Sequence, residues 1–317
     1  YWMLRWGDEV KPVPIDLFAE YRYPANLKAN GMGLVSFVLK KPDVEHNRYE
    51  SDIWLYSAGR ARQLTRGGEV FRHWWLDADT LVFPRLQKPE DRTLAAKGVP
   101  LTVLQRVSAS APGEPEEYAR LPHAVEDVAF LAPGRFLFIA EYRPDVALAM
   151  EQAGEDWEKA AVLLARQDDV TVIQELPLWQ EGSGFTGGRC MRLYLYNQGR
   201  ITPVTDGQTD VEQLRLGPSS RYAFFVAKSR GGVAPVGDRL VGLDLETMQQ
   251  QDISVEASFI HMAFAALGQD TLLVFGSDMA RHGLHQNGAF YRVEVGSPAA
   301  LLYDEGEYDG WDGLGSD

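Results

Sequence analysis

Cysteine is all but absent. Cys190 stands alone among 317 residues, so no internal disulfide can form and no multi-thiolate metal site can be built. That suits a reducing compartment, and the expected location is the cytoplasm. Long apolar runs are also missing. No stretch approaches the roughly 20 residues of a membrane helix, and the opening Tyr-Trp-Met-Leu-Arg-Trp lacks the apolar core of a secretory signal. Basic residues are scarce, 31 against 45 acidic, giving a net charge of −14. Nucleic acid and anionic membranes attract positive surfaces, so neither is an expected partner. Core material is plentiful: 45% hydrophobic and 11% aromatic residues exclude bulk disorder.

That apolar content recurs at intervals. A turn-like polar group is followed by aromatic and β-branched residues in Gly33-Leu-Val-Ser-Phe-Val-Leu39, Thr80-Leu-Val-Phe83, Arg135-Phe-Leu-Phe-Ile-Ala140, Tyr222-Ala-Phe-Phe-Val226 and Thr271-Leu-Leu-Val-Phe275. Phe37, Phe83, Phe138, Phe225 and Phe275 are spaced by 46, 55, 87 and 50 residues. Three of these intervals fit one period of about 50, the length of a four-stranded propeller blade with generous loops. A second pattern repeats at an offset of 140: Ile53-Trp-Leu-Tyr…Gly59-Arg60…Leu64-Thr65…Gly67 against Leu193-Tyr-Leu-Tyr…Gly199-Arg200…Val204-Thr205…Gly207. Looser copies are Val241–Leu245 with Gln251–Ser254, and Tyr291–Val295 with Ala300–Tyr303. The innermost strands are expected at 70–75, 124–128, 211–215 and 259–263. Short strands alone fit a sandwich, but the period selects an all-β propeller of about five blades.

The 87-residue interval holds an insertion. Residues 144–169 are rich in Ala, Leu, Glu and Lys, good helix formers. Trp157, Ala161 and Leu164 form one apolar stripe, and Asp145 and Glu155 are the expected caps of two helices. The chain opens on Tyr1 rather than methionine and closes in an acidic, glycine-rich tail over 304–317, so both ends read as cut. On this reading residues 1–317 are one propeller portion, stopping before a sixth blade.

Val172-Ile-Gln-Glu-Leu-Pro-Leu-Trp-Gln-Glu-Gly-Ser-Gly-Phe-Thr-Gly-Gly-Arg189, directly after the helical insertion and before Leu193-Tyr-Leu-Tyr, resembles the N-terminal propeller of the prolyl oligopeptidase family of serine peptidases. The branch it most resembles holds acylaminoacyl-peptidases and dipeptidyl peptidases. Pro14-Ile-Asp-Leu-Phe…Tyr23-Pro, Ser51-Asp-Ile-Trp-Leu-Tyr…Gln63-Leu-Thr and Trp75-Leu-Asp…Thr80-Leu-Val-Phe add to the likeness. The resemblance implies a seven-bladed propeller capping an α/β-hydrolase domain, with two more blades and the hydrolase following residue 317. It implies a role in gating and orienting peptides, with the chain's own hydrolase domain and peptide substrates as partners; homo-oligomerisation is left open. No G-x-S-x-G nucleophile elbow is present, and Gly217-Pro-Ser-Ser-Arg221 lacks the second glycine, so no triad residue is assigned. The paired glutamates that hold a free amino terminus in some relatives are not found here either.

Trp179, Glu181, Phe185 and Arg189 are the candidate substrate contacts, with packing against the insertion as the plainer alternative. The glycines of 182–188 lack the Lys-Ser/Thr of a phosphate loop. His282 and His285 form an H-x-x-H, but Gly283 argues against the aligning helix and no carboxylate completes a zinc set. No metal or cofactor is expected. His73 and His261 belong to inner strands, where a satisfied, channel-facing residue is the default. Glu114–Glu117 and Asp304–Glu307 read as solvated turns. Two rival functions stay open: a stand-alone interaction propeller, and a glycan-active propeller using carboxylates such as Glu126, Asp127 and Glu212.

Overall fold

The computed structural model describes residues 15–304, apart from 112, 166–178, 181–183, 186, 231–232, 234 and 257, together with a hairpin of Met3–Trp6 and Glu9–Pro12. Of 179–180 and 184–185 it describes the backbone. Five four-stranded antiparallel meanders follow one another, the blades of a β-propeller. Blade 1 comprises Tyr23–Ala29, Val35–Asp43, Arg48–Ser57 and Arg60–Gln63. Blade 2 comprises Trp74–Trp75, Thr80–Pro84, Thr102–Ser108 and Glu116–Leu121. Blade 3 comprises Ala124–Ala132, Arg135–Tyr142, Cys190–Asn197 and Arg200–Pro203. Blade 4 comprises Thr209–Leu216, Tyr222–Ser229, Arg239–Asp244 and Gln250–Asp252; blade 5 comprises Ile260–Ala266, Thr271–Ser277, Ala289–Glu294 and Ala300–Asp304. Contacts divide the chain into two compact units, Tyr1–Arg92 with Leu101–Leu121, and Thr93–Pro100 with Pro122–Asp317. Blades 1 and 2 lie in the first and blades 3 to 5 in the second.

All five phenylalanine markers fall on the second strand of a blade. That strand reads as an unbroken apolar run because a blade inside the array is covered on both faces. In blade 4, Ala223, Phe225 and Ala227 pack with Leu137, Ile139 and Leu193 of blade 3. The alternate residues Phe224 and Val226 pack with Leu272, Val274 and Val293 of blade 5. One strand thus divides its side chains between two cores, as the two-residue period requires. In the first unit, Ile53 and Leu55 meet Leu81, Phe83 and Val107.

The repeat at an offset of 140 has a hydrogen-bonded cause. The Thr65 hydroxyl accepts from the Ile53 N–H at 2.9 Å, and the Thr205 hydroxyl from the Leu193 N–H at 3.1 Å. The Leu64 and Val204 amides return bonds to the Ile53 and Leu193 carbonyls, both at 2.8 Å. Blade 4 uses a serine instead: Ser254 Oγ accepts from Leu240 N–H at 3.0 Å, and Ile253 N–H donates to Leu240 C=O at 2.8 Å. A hydroxyl after the fourth strand latches it to the third.

Helices α2 (Pro144–Ala153) and α3 (Trp157–Leu164) occupy the expected insertion. Their caps differ from expectation. Pro144 opens α2 behind Arg143, which makes no side-chain cap, and Asp145 is held by Arg143 at 2.6 Å. Asp156, not Glu155, caps α3, accepting from the Glu158 and Lys159 amides at 3.1 Å each; Glu155 instead follows the left-handed Gly154 that ends α2. A third helix, α1 (Pro89–Ala96), departs from the expectation of a single helical excursion. Its signal is present in the sequence: proline first, then Glu90 and Asp91 against the positive end of the dipole. Among the described residues no helix is long and apolar enough to cross a membrane.

Candidate functional site

A four-stranded meander places its 1→2 and 3→4 turns at one end and its 2→3 connection at the other, where the first strand begins. Within each unit, hydrogen bonds between neighbouring blades keep these second ends side by side. Ser51 N–H donates to Gly68 C=O at 3.0 Å and Val70 N–H to Ser51 C=O at 2.9 Å. The Met191 amide donates to Asp210 Oδ1 at 2.6 Å, and Asp238 N–H to Phe259 C=O at 2.9 Å. In the second unit this end carries α2, α3, the short strands Trp179–Gln180 and Gly184–Phe185, the approach to Arg239 and the Asp278–Gly288 loop. The long connections gather there, where a scaffold presents binding residues.

The helices are fixed by a core of their own, Val146, Ala149, Ala153, Ala160, Ala161 and Leu164, closed by Val99 and Leu94. Beyond them the chain makes a hairpin in which Trp179 opposes Phe185 and Gln180 opposes Gly184. Glu181 lies outside the described residues. Arg189 is half-buried at the entry to blade 3's third strand. Gly188 fixes the exit: its φ of +73° suits glycine, and an added Cβ would stand 3.1 Å from the Pro144 ring. The hairpin therefore leaves directly against the first turn of α2. Trp179 and Phe185 are paired across one ladder, and Arg189 follows four residues later.

The nucleophilic and basic groups nearby are packed and held. Cys190 donates to Gly207 C=O at 3.5 Å, and burial, then the Asp210 charge, pushes its thiol up to about 11. Arg192 lies 4.7 Å over the Tyr142 ring and 5.6 Å over Tyr194, and donates to Thr205 C=O at 2.8 and 3.2 Å. His123 lies 4.6 Å from the Tyr194 ring, tilted at 56°; burial, then the Arg192 charge, lowers it to about 4.

His73 and His261, expected as satisfied, channel-facing residues, are both buried. His73 Nε2 lies 2.7 Å from Ser36 Oγ, and burial, then Lys28, lowers the imidazole to about 3. The pair has the spacing of a base and a nucleophile, but the serine hydroxyl donates to Lys28 C=O at 3.1 Å and neither residue reaches solvent. With the hydroxyl proton so placed, the imidazole N–H donates to Ser36 and the link is structural. His261 Nδ1 meets Asp238 Oδ1 at 2.5 Å, the histidine–acid half of a triad, yet its Nε2 accepts from the Val255 backbone N–H at 3.5 Å. Among the described residues no hydroxyl completes it.

His282 and His285 stand on an exposed 3-10 turn beside a recess of ≈ 250 Å³. Gln286 braces that loop, accepting from Arg281 N–H at 2.7 Å and donating to Asp278 at 2.5 Å. Among the described residues no three His, Cys, Asp or Glu side chains are grouped for a metal. Glu116 and Glu117 are not a solvated turn but strand residues, paired with Arg106 at 2.8 Å and with Arg120 at 3.1 Å. Asp127 faces Arg215 at 3.4 Å. Glu212 is raised by burial, then by Asp238 and Asp210.

No family model matches the sequence, and no curated protein does. Solved structures match in fold. An acylaminoacyl peptidase of Pyrococcus horikoshii superposes with a TM-score of 0.60 at 11% identity, over 87% of this chain and 39% of that one. A puromycin-hydrolyzing peptidase of Mycobacterium tuberculosis gives 0.55 at 13% identity, over 92% and 41%. A prolyl endopeptidase gives 0.50 at 11% identity, over 91% and 37%. The chain thus spans about two-fifths of the length of these peptidases, and its propeller is similar to theirs. Among the histidines of the described residues, His73, His123 and His261 are packed, while His46, His282 and His285 are exposed.

Proposed function

We propose that the chain is the propeller portion of a serine exopeptidase or oligopeptidase, gating and orienting peptides for an α/β-hydrolase domain encoded after residue 317. The observation that carries this reading is the partial match: 87% of this chain falls on 39% of an acylaminoacyl peptidase. On this reading the hydrolase supplies the serine, histidine, acid and oxyanion hole of acyl transfer. This chain supplies selection by size and orientation, with Trp179, Glu181, Phe185 and Arg189 as the substrate contacts. A cytoplasmic location fits the single cysteine.

Two measurements test it. Residues 1–317 alone are expected to be unreactive toward a fluorophosphonate, because Ser36, the serine with an imidazole partner, is buried. The coding sequence is expected to continue into a G-x-S-x-G within about 250 residues. Labelling mapped to a serine of this chain overturns the reading. A stop codon directly after Asp317 overturns it too and favours an interaction scaffold.

A further inference from the structure

We infer that the mouth of the groove between blades 1 and 2 binds the carboxyl-terminal residue of a peptide, with its carboxylate on Lys40 and its side chain among Tyr23, Tyr49 and Phe71. The choice of a peptide rests on the reading above; the chemistry of the recess stands on its own residues.

The strand face that buries Ser36 and Val38 against blade 2 continues, two residues further, to Lys40. The same face of the third strand runs from buried Leu55, Ile53 and Ser51 out to Tyr49. Val70 seals the packed part, and the next residue, Phe71, turns into solvent. The groove is therefore filled along most of its length and open at its end, leaving a recess of ≈ 290 Å³ lined by Tyr23, Lys40, Tyr49 and Phe71.

The walls are partly exposed aromatic rings, Tyr23 also meeting Tyr21 edge to face at 6.2 Å. Tyr23, Tyr49 and Phe71 are 38%, 48% and 43% exposed. Tyr23 and Tyr49 meet edge to face, 6.3 Å between centroids at 79°. Tyr23 lies directly opposite Lys40 in the ladder, and Tyr49 lies opposite Pro42, two residues along. The rim is anchored: Asn26, at φ +52° in a bulge of the first strand, donates its side-chain amide to Phe71 C=O at 2.7 Å.

Lys40 supplies the charge. It is half-buried, and among the described residues its ammonium has no ion-pair or hydrogen-bond partner. In a chain of net charge −14, with 45 carboxylates available, this ammonium lines an aromatic recess without one of them beside it among the described residues. A cationic ligand is repelled by it, and a neutral sugar leaves it uncompensated. A single point charge suits one carboxylate, and the ring walls suit an apolar or aromatic side chain beside it. The volume sits at the floor of the range for small-ligand pockets, about 300–1,000 Å³, which is room for one terminal residue.

The test compares N-acetyl-Ala-Phe as free acid and as carboxamide, titrated into the 317-residue chain and followed by ¹⁵N NMR. The acid is expected to perturb amides around Tyr23, Lys40 and Tyr49 and to bind at least roughly tenfold tighter than the amide, about 1.4 kcal/mol. Lys40→Met, with unchanged melting, is expected to abolish that difference, and Phe71→Ala to weaken both ligands. Equal binding of acid and amide, a preference that survives Lys40→Met, or no perturbation at these residues overturns the inference. None of these outcomes touches fluorophosphonate labelling or the downstream serine motif, so the two readings fail separately.

Discussion

Residue by residue, two packed histidines make the fold sensitive to acid. His73 and His123 are neutral in the fold, lowered to about 3 and about 4 chiefly by burial. In the unfolded chain they titrate near 6.5, so between the two values the unfolded state binds more protons. Their contribution is fully present above about pH 6.5 and is lost as the pH falls toward the folded values, at up to about 1.4 kcal/mol per pH unit for each residue. Urea midpoints are expected to drop between pH 7 and pH 5, and His73→Asn to flatten the dependence; a flat wild-type profile contradicts the assignment. A second consequence concerns α1, whose buried Asp91 is held by Arg120 at 2.6 Å. Arg120→Ala strands that carboxylate and is expected to cost about 3–5 kcal/mol, more than Asp91→Asn, in the same denaturation assay. Histidine burial was not legible in the sequence, because neither residue's neighbours in space are its neighbours in the chain.

Among the elements, the second strands were the most legible, and for a definite reason. Being buried on both faces, they concentrate aromatic and β-branched residues into runs that stand out from the polar turns. Phe225→Ala is expected to cost about 3–5 kcal/mol, since its ring is fully buried between blades 3 and 4, and calorimetry on the variant checks this. The fourth strands were harder to read. Arg60–Gln63 and Gln250–Asp252 are short and exposed, so their residues carry no core signature. The 140-residue offset revealed one of them through the latching threonines rather than through hydrophobicity. Helix α1 lay in plain view at Pro89-Glu-Asp, but the 55-residue interval it lengthens is too close to the period to demand an insertion.

For the whole molecule, the period gave blade number and order, while the rim had to be seen in space. The recess at Lys40 joins residues from three strands and the connection between two blades, a juxtaposition no spacing rule announces. The last strand of blade 5 carries Leu301, Leu302 and Tyr303, 57%, 54% and 59% exposed, where the fourth strands of blades 1 and 4 are polar. Apolar edges invite pairing with other chains. Light scattering is expected to show concentration-dependent association, reduced by Leu302→Lys; a monodisperse wild type at every concentration contradicts it. The division of blade 4's second strand between two cores has one more consequence. Its stability is mostly interfacial, as in an array governed by nearest-neighbour coupling. Blade 4 cannot melt without stripping a face from blade 3 and another from blade 5, so hydrogen exchange should find these three blades opening as one cooperative block.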